Sequence, residues 1–271
     1  FDSPRPDDAV LKAQLRAMKT PTWLAYAEQA RNPNTIFYEQ QKYLESYIAD
    51  VTTAKTKATS VLFRTDADSV IRHWPDRPKH LPPLMTNALA PIDPAHANFQ
   101  GNIRFLVPAR AAKGQEEPVF ANLPIDSFAM PMDAEMRASF SDLVKGRYVL
   151  IGGDIIDKDQ FDTPLSRFPD AITGQHETMI GLEVHAHMLA QQLDKAWARP
   201  LSNPALWVLA FLIVLAGGLT SLIDLRARWV ALAFFGQTAF FVAFPFWLQG
   251  RGVDTMTLPT FGWAIGWLFG Y

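Results

Sequence analysis

The stretch ALWVLAFLIVLAGGLTSLI, from Ala205 to Ile223, contains no charged side chain. A second uncharged run, WVALAFFGQTAFFVAFPFWLQG, extends from Trp229 to Gly250, and a third, TMTLPTFGWAIGWLFGY, from Thr255 to Tyr271. A helix needs about 17–25 predominantly apolar residues to cross a hydrocarbon layer of about 30 Å, and each run approaches or meets that length. We therefore predict a membrane region over 204–271, with three transmembrane helices at about 205–223, 229–249 and 255–271.

The two short loops between these runs set the expected orientation. The first loop contains Arg226 and Arg228 beside Asp224, and the second contains Arg251 and Asp254. Because short cytoplasmic loops carry an excess of lysine and arginine, the count of two to one favours a cytoplasmic first loop. Residues 1–200 are then expected to lie outside the cytoplasm.

Composition excludes several functions. The net charge of the 271 residues is −2, which gives no general attraction for nucleic acid, and the absence of cysteine excludes disulfides, thiolate catalysis and cysteine-ligated metals. No G-x-S-x-G nucleophile sequence occurs. We expect no catalytic residues and no cofactor, and membrane lipid is the partner that the apolar runs imply.

The first 200 residues alternate predicted helices and strands. Helices are predicted over 7–18, 37–56 and 181–193, and PPLMTNALA (82–90) is predicted to begin a short helix with proline in its first turn. TWLAYA is predicted to be a strand, ATSVLFRTDADSVIRHWP (58–75) a hairpin, and GNIRFLVPA (101–109) and RYVLIGG (147–153) two further strands. This order predicts an α/β domain with a mixed, partly parallel sheet and flanking helices.

An acidic loop follows the last of these strands and leaves three interpretations open. Asp154, Asp157, Asp159 and Asp162 resemble a calcium loop, but the glycine and glutamate spacing of an EF-hand is missing. The Gly-Gly pair before them lacks the remaining residues of a phosphate-binding loop. We favour a shaped rim at a strand end, where Asp162 or Thr163 accepts hydrogen bonds from nearby backbone groups. Asp154, Asp162 and Thr163 are therefore candidate ligand-binding residues.

A second polar cluster contains His176, Glu177, Glu183, His185 and His187. On a helix His185 and His187 point about 200° apart, so both cannot face one ion. A metal bound by His176, Glu183 and one helical histidine is an alternative, but we expect no metal, with one helical histidine packed and the other solvated. His176, Glu183 and His185 complete the candidate ligand-binding residues.

Several motifs in order resemble one family. VKGRYVLIGG, DQFDTPLSR and GLEVHAHMLAQQL, followed by three apolar runs, resemble the CHASE type-two domain, a sensory module of bacterial membrane receptors. DADSVIRHWP resembles the family's D-x-D-G-v-v-R-x-x-P turn, with Ser69 where glycine is usual. The matching positions in the three motifs are Gly146, Val149, Ile151, Gly152, Asp159, Phe161, Thr163, Pro164, Gly181, Glu183, His185 and Ala186.

The resemblance implies an α/β extracytoplasmic sensory domain over 1–200, followed by three spans in the bacterial cytoplasmic (inner) membrane. Such a module binds an extracytoplasmic ligand or protein of unknown identity and works in a homo-oligomer or a larger membrane complex. It relays the signal to a cytoplasmic output domain, such as a nucleotide cyclase or a protein kinase, which this chain does not contain. The family pattern also places a membrane helix and strands before the position of Phe1, so we expect sequence upstream.

An accessory membrane subunit that uses the domain as a protein-binding platform is the alternative. A cyclase or kinase sequence after Tyr271 in the gene would favour sensing, and an early stop codon would favour the platform.

Overall fold

The computed structural model describes residues 3–31, 36–107, 109–110, 116–129, 132–153, 159–167, 178–199, 201–222, 226–254, 262 and 264–266. The chain divides into two compact units, one up to Ala196 and one from Trp197 onward. The elements of the first unit are α1 (Asp8–Ala17), β1 (Thr22–Tyr26), α2 (Tyr38–Val51), β2 (Thr56–Ser60), β3 (Arg64–Thr65), β4 (Ile71–His73), α3 (Met85–Leu89), β5 (Ala109–Arg110), β6 (Glu116–Glu117), α4 (Asp126–Ala129), α5 (Ala134–Val144), β7 (Gln160–Phe161), β8 (Met179–Ile180) and α6 (Gly181–Leu193). The second unit contains α7 (Asn203–Ser221) and α8 (Ala227–Gly250).

The first unit begins with a strand–helix–strand crossover. β1 and β2 pair in parallel, with Thr22 opposite Thr56 and Tyr26 opposite Ser60, and α2 connects them. A parallel pair needs such a crossover because the chain must return to the same end of the sheet. The inward face of α2 carries the buried residues Tyr47, Ile48 and Val51.

The predicted mixture of helices and strands is correct, but the predicted mixed sheet is not present in the described residues. The strands form four separate two-stranded sheets: β1–β2, β3–β4, β5–β6 and β7–β8. The three pairs after the crossover are antiparallel and only two or three residues long per strand. A pattern of apolar residues predicts an extended chain, but it does not show which backbone groups will find a partner.

Three predicted strands differ in detail. In the predicted hairpin at 58–75, residues 58–60 belong to β2 and pair with β1, so the hairpin is limited to β3 and β4. At 101–109, Asn102 forms a single bridge to His73, and Ile103 N donates to Arg72 O at 2.7 Å. The segment 147–153 is not a strand, and the side chain of Ile151 is 75% exposed there.

Helix α6 lies in the core of the first unit. Eight of its residues are buried, on more than one face, and its bounds agree with the helix predicted at 181–193. Val184 and Met188 are fully buried, as are Val70, Ile71 and Trp74 in and beside β4. α6 is therefore covered by other parts of the first unit on more than one face.

The second unit contains the two helices that can cross a membrane. Asn203–Ser221 has a mean hydropathy of 2.0 and Arg228–Gly250 one of 1.6, and only 11% and 6% of these segments are buried within the protein. Such apolar but uncovered helices are not the core helices of a soluble domain. Two predicted spans are thus found as candidate membrane helices. The third, at 255–271, falls largely outside the described residues, of which Gly262 and Ala264–Gly266 are helical.

The capping residues explain where α7 begins and where α8 ends. Ser202 caps α7 by accepting a hydrogen bond from Ala205 N at 3.4 Å, and Pro204 lies in the first turn. At the end of α8, Gly252 has a φ of 72°. Gly252 N bonds to Gln249 O and Val253 N to Leu248 O, which together form a Schellman motif. Pro245 lies inside α8, where it removes one backbone donor.

Candidate functional site

The described end of the acidic loop is joined to the β3–β4 hairpin. β7 pairs with β8, with Phe161 opposite Met179, and Asp162 then forms a parallel bridge to Val70. Ile71 N donates to Asp162 O at 2.8 Å. The backbone of Asp162 is therefore fixed between two strands, and its side chain extends from a defined position.

The turn after Asp162 is held by Thr163 and Ser166. Thr163 N donates to Ser166 Oγ at 3.1 Å, and Ser166 N donates to Thr163 Oγ1 at 3.4 Å. Thr163 has no exposed surface. Of the two residues predicted to accept backbone hydrogen bonds, Thr163 does so, and the carboxylate of Asp162 instead lies 3.7 Å from Arg167 Nη2.

A network of charges surrounds the hairpin turn next to this loop. Arg72 bonds both carboxylate oxygens of Asp68 at 2.8 and 2.7 Å, and its Nη1 also reaches Asp66 at 2.8 Å. His73 Nδ1 lies 3.0 Å from the other oxygen of Asp66. The hydrogen bonds from Arg72 lower the pKa of Asp68 and raise the pKa of Arg72. Arg167 extends the network, 4.0 Å from Asp68.

The turn itself has the backbone that a glycine would adopt. Ser69 has a φ of 64°, in the left-handed region that non-glycine residues rarely occupy. Ser69 N bonds to Asp66 O at 3.0 Å, and Asp66 N bonds to Val70 O at 2.9 Å. Serine therefore occupies position 69, where glycine is usual in the family pattern, and the chain still forms the turn.

The two histidines of α6 are both buried, so the expectation that one of them is solvated is wrong. His185 stacks on Phe63 with ring centroids 4.4 Å apart, and neither ring nitrogen has a hydrogen-bond partner. His187 accepts a hydrogen bond from Leu106 N at 3.2 Å and contacts Phe105 and Phe120. Burial lowers the pKa of each histidine from 6.5 to about 4. Both are therefore neutral imidazoles at pH 7.

The first turn of α6 is packed against the end of the acidic loop. Gly181 N donates to Asp159 O at 2.9 Å, and a Cβ added at Gly181 would lie 2.8 Å from Asp159 Oδ1 and about as near to Phe161 and Phe63. The Phe63 ring contacts both Phe161 and His185. Contacts between aromatic rings thus connect the loop to α6. The packing around the first turn of α6 is so close that only glycine fits at position 181.

The candidate ligand-binding residues therefore differ in their access to solvent. Asp162 and Glu183 are partly exposed, and burial raises the pKa of Glu183. Thr163 and His185 are interior and contact protein groups. Asp154 and His176 lie outside the described residues. Among the residues that the structure describes, no group of three histidine or carboxylate side chains is placed to hold a metal ion.

One polar cleft occurs elsewhere in the first unit. It is lined by residues that include Trp74, Asp76, Arg77, Asn87 and Asn98, and its volume is about 50 Å³. That volume accommodates a few water molecules, whereas organic ligands occupy pockets of several hundred Å³. The cleft is too small to be the site of a metabolite in this conformation.

Sequence reasoning missed the residues that hold α6 in place. The side-chain amide of Gln191 accepts from Trp74 Nε1 at 2.9 Å and from Arg104 N at 3.0 Å, and it donates to the carbonyls of Asn102 and Ala196. Gln192 Nε2 donates to Ala90 O at 2.7 Å and to Thr86 O at 3.3 Å. Two adjacent glutamines in a polar-looking helix end give no signal of such burial in a single sequence.

Arginine and tryptophan side chains pair near both ends of α8. The Arg228 guanidinium lies 5.6 Å from the Trp229 ring, and that of Arg251 lies 4.8 Å from the Trp247 ring. Trp229 and Trp247 are 18 positions apart, which corresponds to about 27 Å of helix, close to the thickness of a hydrocarbon layer. Tryptophan and arginine at such spacing are typical of the two membrane interfaces.

The fold and these features define a mixed α/β domain that is followed in sequence by two candidate membrane helices. Residues 1–220 match the family model of the CHASE2 domain, so the chain belongs to the CHASE2 family. CHASE2 domains are extracellular, non-catalytic sensory domains of signalling receptors. No curated protein and no solved structure matches the chain.

Proposed function

We propose that this chain is the sensory-input and membrane-spanning part of a bacterial signalling receptor. Residues 1–200 receive a signal outside the cytoplasm, and three helices over 204–271 carry it across the cytoplasmic membrane to an output domain. The observation that carries this proposal is the match to the CHASE2 domain, which continues from the first unit into α7. The two uncovered apolar helices and the Arg–Trp pairs of α8 support the membrane location.

The orientation rests on two loops. Arg226 and Arg228 precede α8 and favour the cytoplasmic side. Arg199, which follows the sensory domain, is hydrogen-bonded to the loop at the other end of α8. That contact supports a location of the Arg251 loop on the same side of the membrane as the linker that leaves the sensory domain.

Single cysteines test the orientation, because the native chain contains none. Asn122→Cys and Arg251→Cys are expected to react with a membrane-impermeant maleimide in cells whose outer membrane is permeabilised, and Arg226→Cys is expected to react only after the inner membrane is opened. Arg226 and Arg251 are matched controls, since both are arginines beside α8. Labelling at 226 together with protection at 251 and 122 would reverse the proposed topology.

We assign the ligand contacts to the partly exposed residues among the candidate ligand-binding residues. In this proposal Asp162 and Glu183 face the incoming ligand, while Thr163 and His185 transmit the change as interior residues of the loop and of α6. Asp154 and His176 are part of the same proposed site. The Phe161–Phe63–His185 contacts support this arrangement, because they link the loop that carries Asp162 to α6, the last helix of the first unit.

A fusion tests the signalling role. Residue 271 is joined to an adenylate cyclase catalytic domain, and cyclic AMP is measured in cells that carry the wild type, Asp162→Asn or Glu183→Gln, with protein levels matched by immunoblot. Output that depends on these residues supports the sensory role. Output that equals that of a fusion lacking residues 1–196 would refute it and would favour the protein-binding platform.

A further inference from the structure

A backbone bridge joins the linker after the sensory domain to the loop after α8. Arg199 N donates to Gly252 O at 2.8 Å, and Asp254 N donates to Arg199 O at 2.9 Å, so Arg199 pairs with Val253 as in a parallel sheet. Both hydrogen bonds are made by the backbone of Arg199. The contact is therefore a property of the chain path, and the side chain at 199 does not create it.

Both partners of the bridge follow closely upon a capped helix end. α8 ends in the Schellman motif at Gly252, which turns the chain so that the Gly252 carbonyl and the Asp254 amide meet Arg199. α6 ends in the same way: Lys195 has a φ of 52°, its N bonds to Gln192 O, and Ala196 N bonds to Gln191 O at 3.0 Å. Each of the two helix ends is fixed by its own cap.

Only two residues separate the held end of α6 from the bridge. Gln191 binds Ala196 through both its backbone carbonyl and its side-chain amide, and Trp197 and Ala198 then lead to Arg199. The connection from Ala196 to Arg199 spans at most about 11 Å when fully extended. It is therefore too short to absorb a large displacement of the end of α6.

Two glycines further along the chain, Gly262 and Gly266, lie close to α7. A Cβ added at Gly266 would overlap Val214 O and lie 2.8 Å from Gly218 N, and one added at Gly262 would lie 3.3 Å from Val214 Cγ2. Gly262 and Gly266 are thus packed closely against α7, Gly266 at backbone distance. The chain that follows α8 is attached to both the linker and α7.

We propose that the Arg199 bridge is a relay by which the end of the sensory domain controls the segment that follows α8, directly and without passing through the α7–α8 hairpin. The inference rests on the proposed receptor function, in which that segment leads to the cytoplasm. In this device α8 positions residues 252–254 beside the linker. The movement itself passes from Ala196 through Arg199 to residues 252–254.

Proline at 199 tests the relay. Arg199→Pro removes the amide that donates to Gly252 O, whereas Arg199→Ala keeps both backbone hydrogen bonds and is the matched control. Hydrogen exchange is followed by mass spectrometry on the whole chain in lipid nanodiscs. We expect amides at 253–254 to exchange about tenfold faster in the proline variant, the effect of losing one hydrogen bond, and at the native rate in the alanine variant.

A double-mutant cycle then measures transmission. Gln191→Met releases the side-chain bond to Ala196 O, and its effect on exchange at 252–254 is measured in the Arg199→Ala and Arg199→Pro backgrounds. The relay requires that the effect be present with alanine and lost with proline. An equal effect in both backgrounds, or no effect in either, would overturn it.

A cross-link provides a measurement that does not depend on the proline variant. Arg199→Cys with Val253→Cys is expected to form an intramolecular disulfide under mild oxidation, because residues paired in a β-bridge lie within disulfide range. Arg199→Cys with Gly250→Cys is the control and is expected to cross-link far less. Equal cross-linking of the two pairs would exclude the bridge. The bridge can form in either membrane orientation, so its failure is distinguishable from a failure of the maleimide test.

Discussion

Trp74 and Gln191 are joined by a buried hydrogen bond in which Nε1 of Trp74 donates to Oε1 of Gln191 at 2.9 Å. The same oxygen accepts from Arg104 N, and the amide nitrogen reaches the carbonyls of Asn102 and Ala196. One side chain therefore connects the end of α6 to the residue after β4, to the segment 102–104 and to Ala196, the last residue of the first unit. Buried polar networks of this kind stabilise one arrangement of their elements, because an alternative arrangement leaves donors unpaired.

Replacement of Gln191 is expected to be costly. Gln191→Met keeps the shape of the side chain but leaves the donors Trp74 Nε1 and Arg104 N without their acceptor, so we expect a loss of roughly 3 kcal/mol in the free energy of unfolding. Gln192→Met is the control: it removes bonds to Thr86 O and Ala90 O, but it leaves no donor unpaired. Urea denaturation of the detergent-solubilised chain, followed by tryptophan fluorescence, measures both. A larger loss for Gln192→Met would contradict this account of the network.

The parts of this structure that the sequence predicts are those with a local cause. α6 follows from a helical spacing of apolar residues, and α7 follows from an uncharged run preceded by a serine cap and a proline. The sheets could not be predicted, because hydrogen-bond partners such as Ile71 and Asp162 are far apart in sequence. The burial of both histidines also escaped prediction: side chains 200° apart on a helix are both buried only when the helix is covered on two sides, here by Phe63 and by Phe105 with Phe120.

A glycine at position 69 should stabilise the hairpin turn. The φ of 64° costs a non-glycine residue about 1–2 kcal/mol, and the greater freedom of glycine in the unfolded chain offsets part of the gain. We expect Ser69→Gly to raise the free energy of unfolding by up to about 1 kcal/mol and Ser69→Val to lower it by at least that amount. Thermal denaturation of the two variants beside the wild type tests the prediction, and a destabilised glycine variant would show that the serine side chain has a role that the backbone does not reveal.

Acid should destabilise the sensory domain through His185 and His187. In the unfolded chain a histidine binds a proton below pH 6.5, whereas burial lowers the pKa of each to about 4 in the folded domain. The unfolded state therefore binds more protons between these values, and stability that is full above pH 6.5 is lost as the pH falls toward 4. The shift corresponds to roughly 3 kcal/mol for each histidine. Denaturation between pH 7.5 and 4 measures the slope.

Two phenylalanine substitutions separate the histidines. His185→Phe retains the ring contact with Phe63 and removes two buried nitrogens without partners, so we expect stability at pH 7 at least equal to that of the wild type and a shallower acid slope. His187→Phe also removes a titrating group, but it leaves Leu106 N without an acceptor and is expected to cost about 1–3 kcal/mol at pH 7. The same loss for both variants would mean that the ring nitrogens of His185 have a partner in solution.

Thr163 should matter more than Asp162 for the stability of the acidic loop. Thr163→Val removes the hydroxyl that bonds Ser166 inside the protein, and we expect a loss of about 1–2 kcal/mol. Asp162→Asn removes only a partly exposed ion pair with Arg167, and its expected cost is below about 1 kcal/mol. Thermal denaturation is measured with and without millimolar calcium. A calcium-dependent rise in Tm that Asp162→Asn abolishes would instead identify the loop as a metal site.

The close contact between Gly266 and α7 gives the sharpest test of the membrane unit. Any side chain at 266 would overlap the backbone at Val214 and Gly218, and backbone in a packed helix cannot yield as a flexible side chain does. Small residues at such crossings let membrane helices pack by close contact rather than by hydrophobic burial. Gly266→Ala is therefore expected to destabilise the unit by about 1–3 kcal/mol.

Gly236 in α8 provides the matched control, since a Cβ added there would meet nothing within 4 Å. Gly236→Ala is expected to leave stability unchanged or to raise it by up to about 1 kcal/mol, because alanine is the better helix former. Both variants are unfolded with increasing dodecyl sulfate in mixed micelles and followed by circular dichroism at wavelengths that report helix. If Gly266→Ala behaves like Gly236→Ala, Gly266 does not pack on α7 in the membrane.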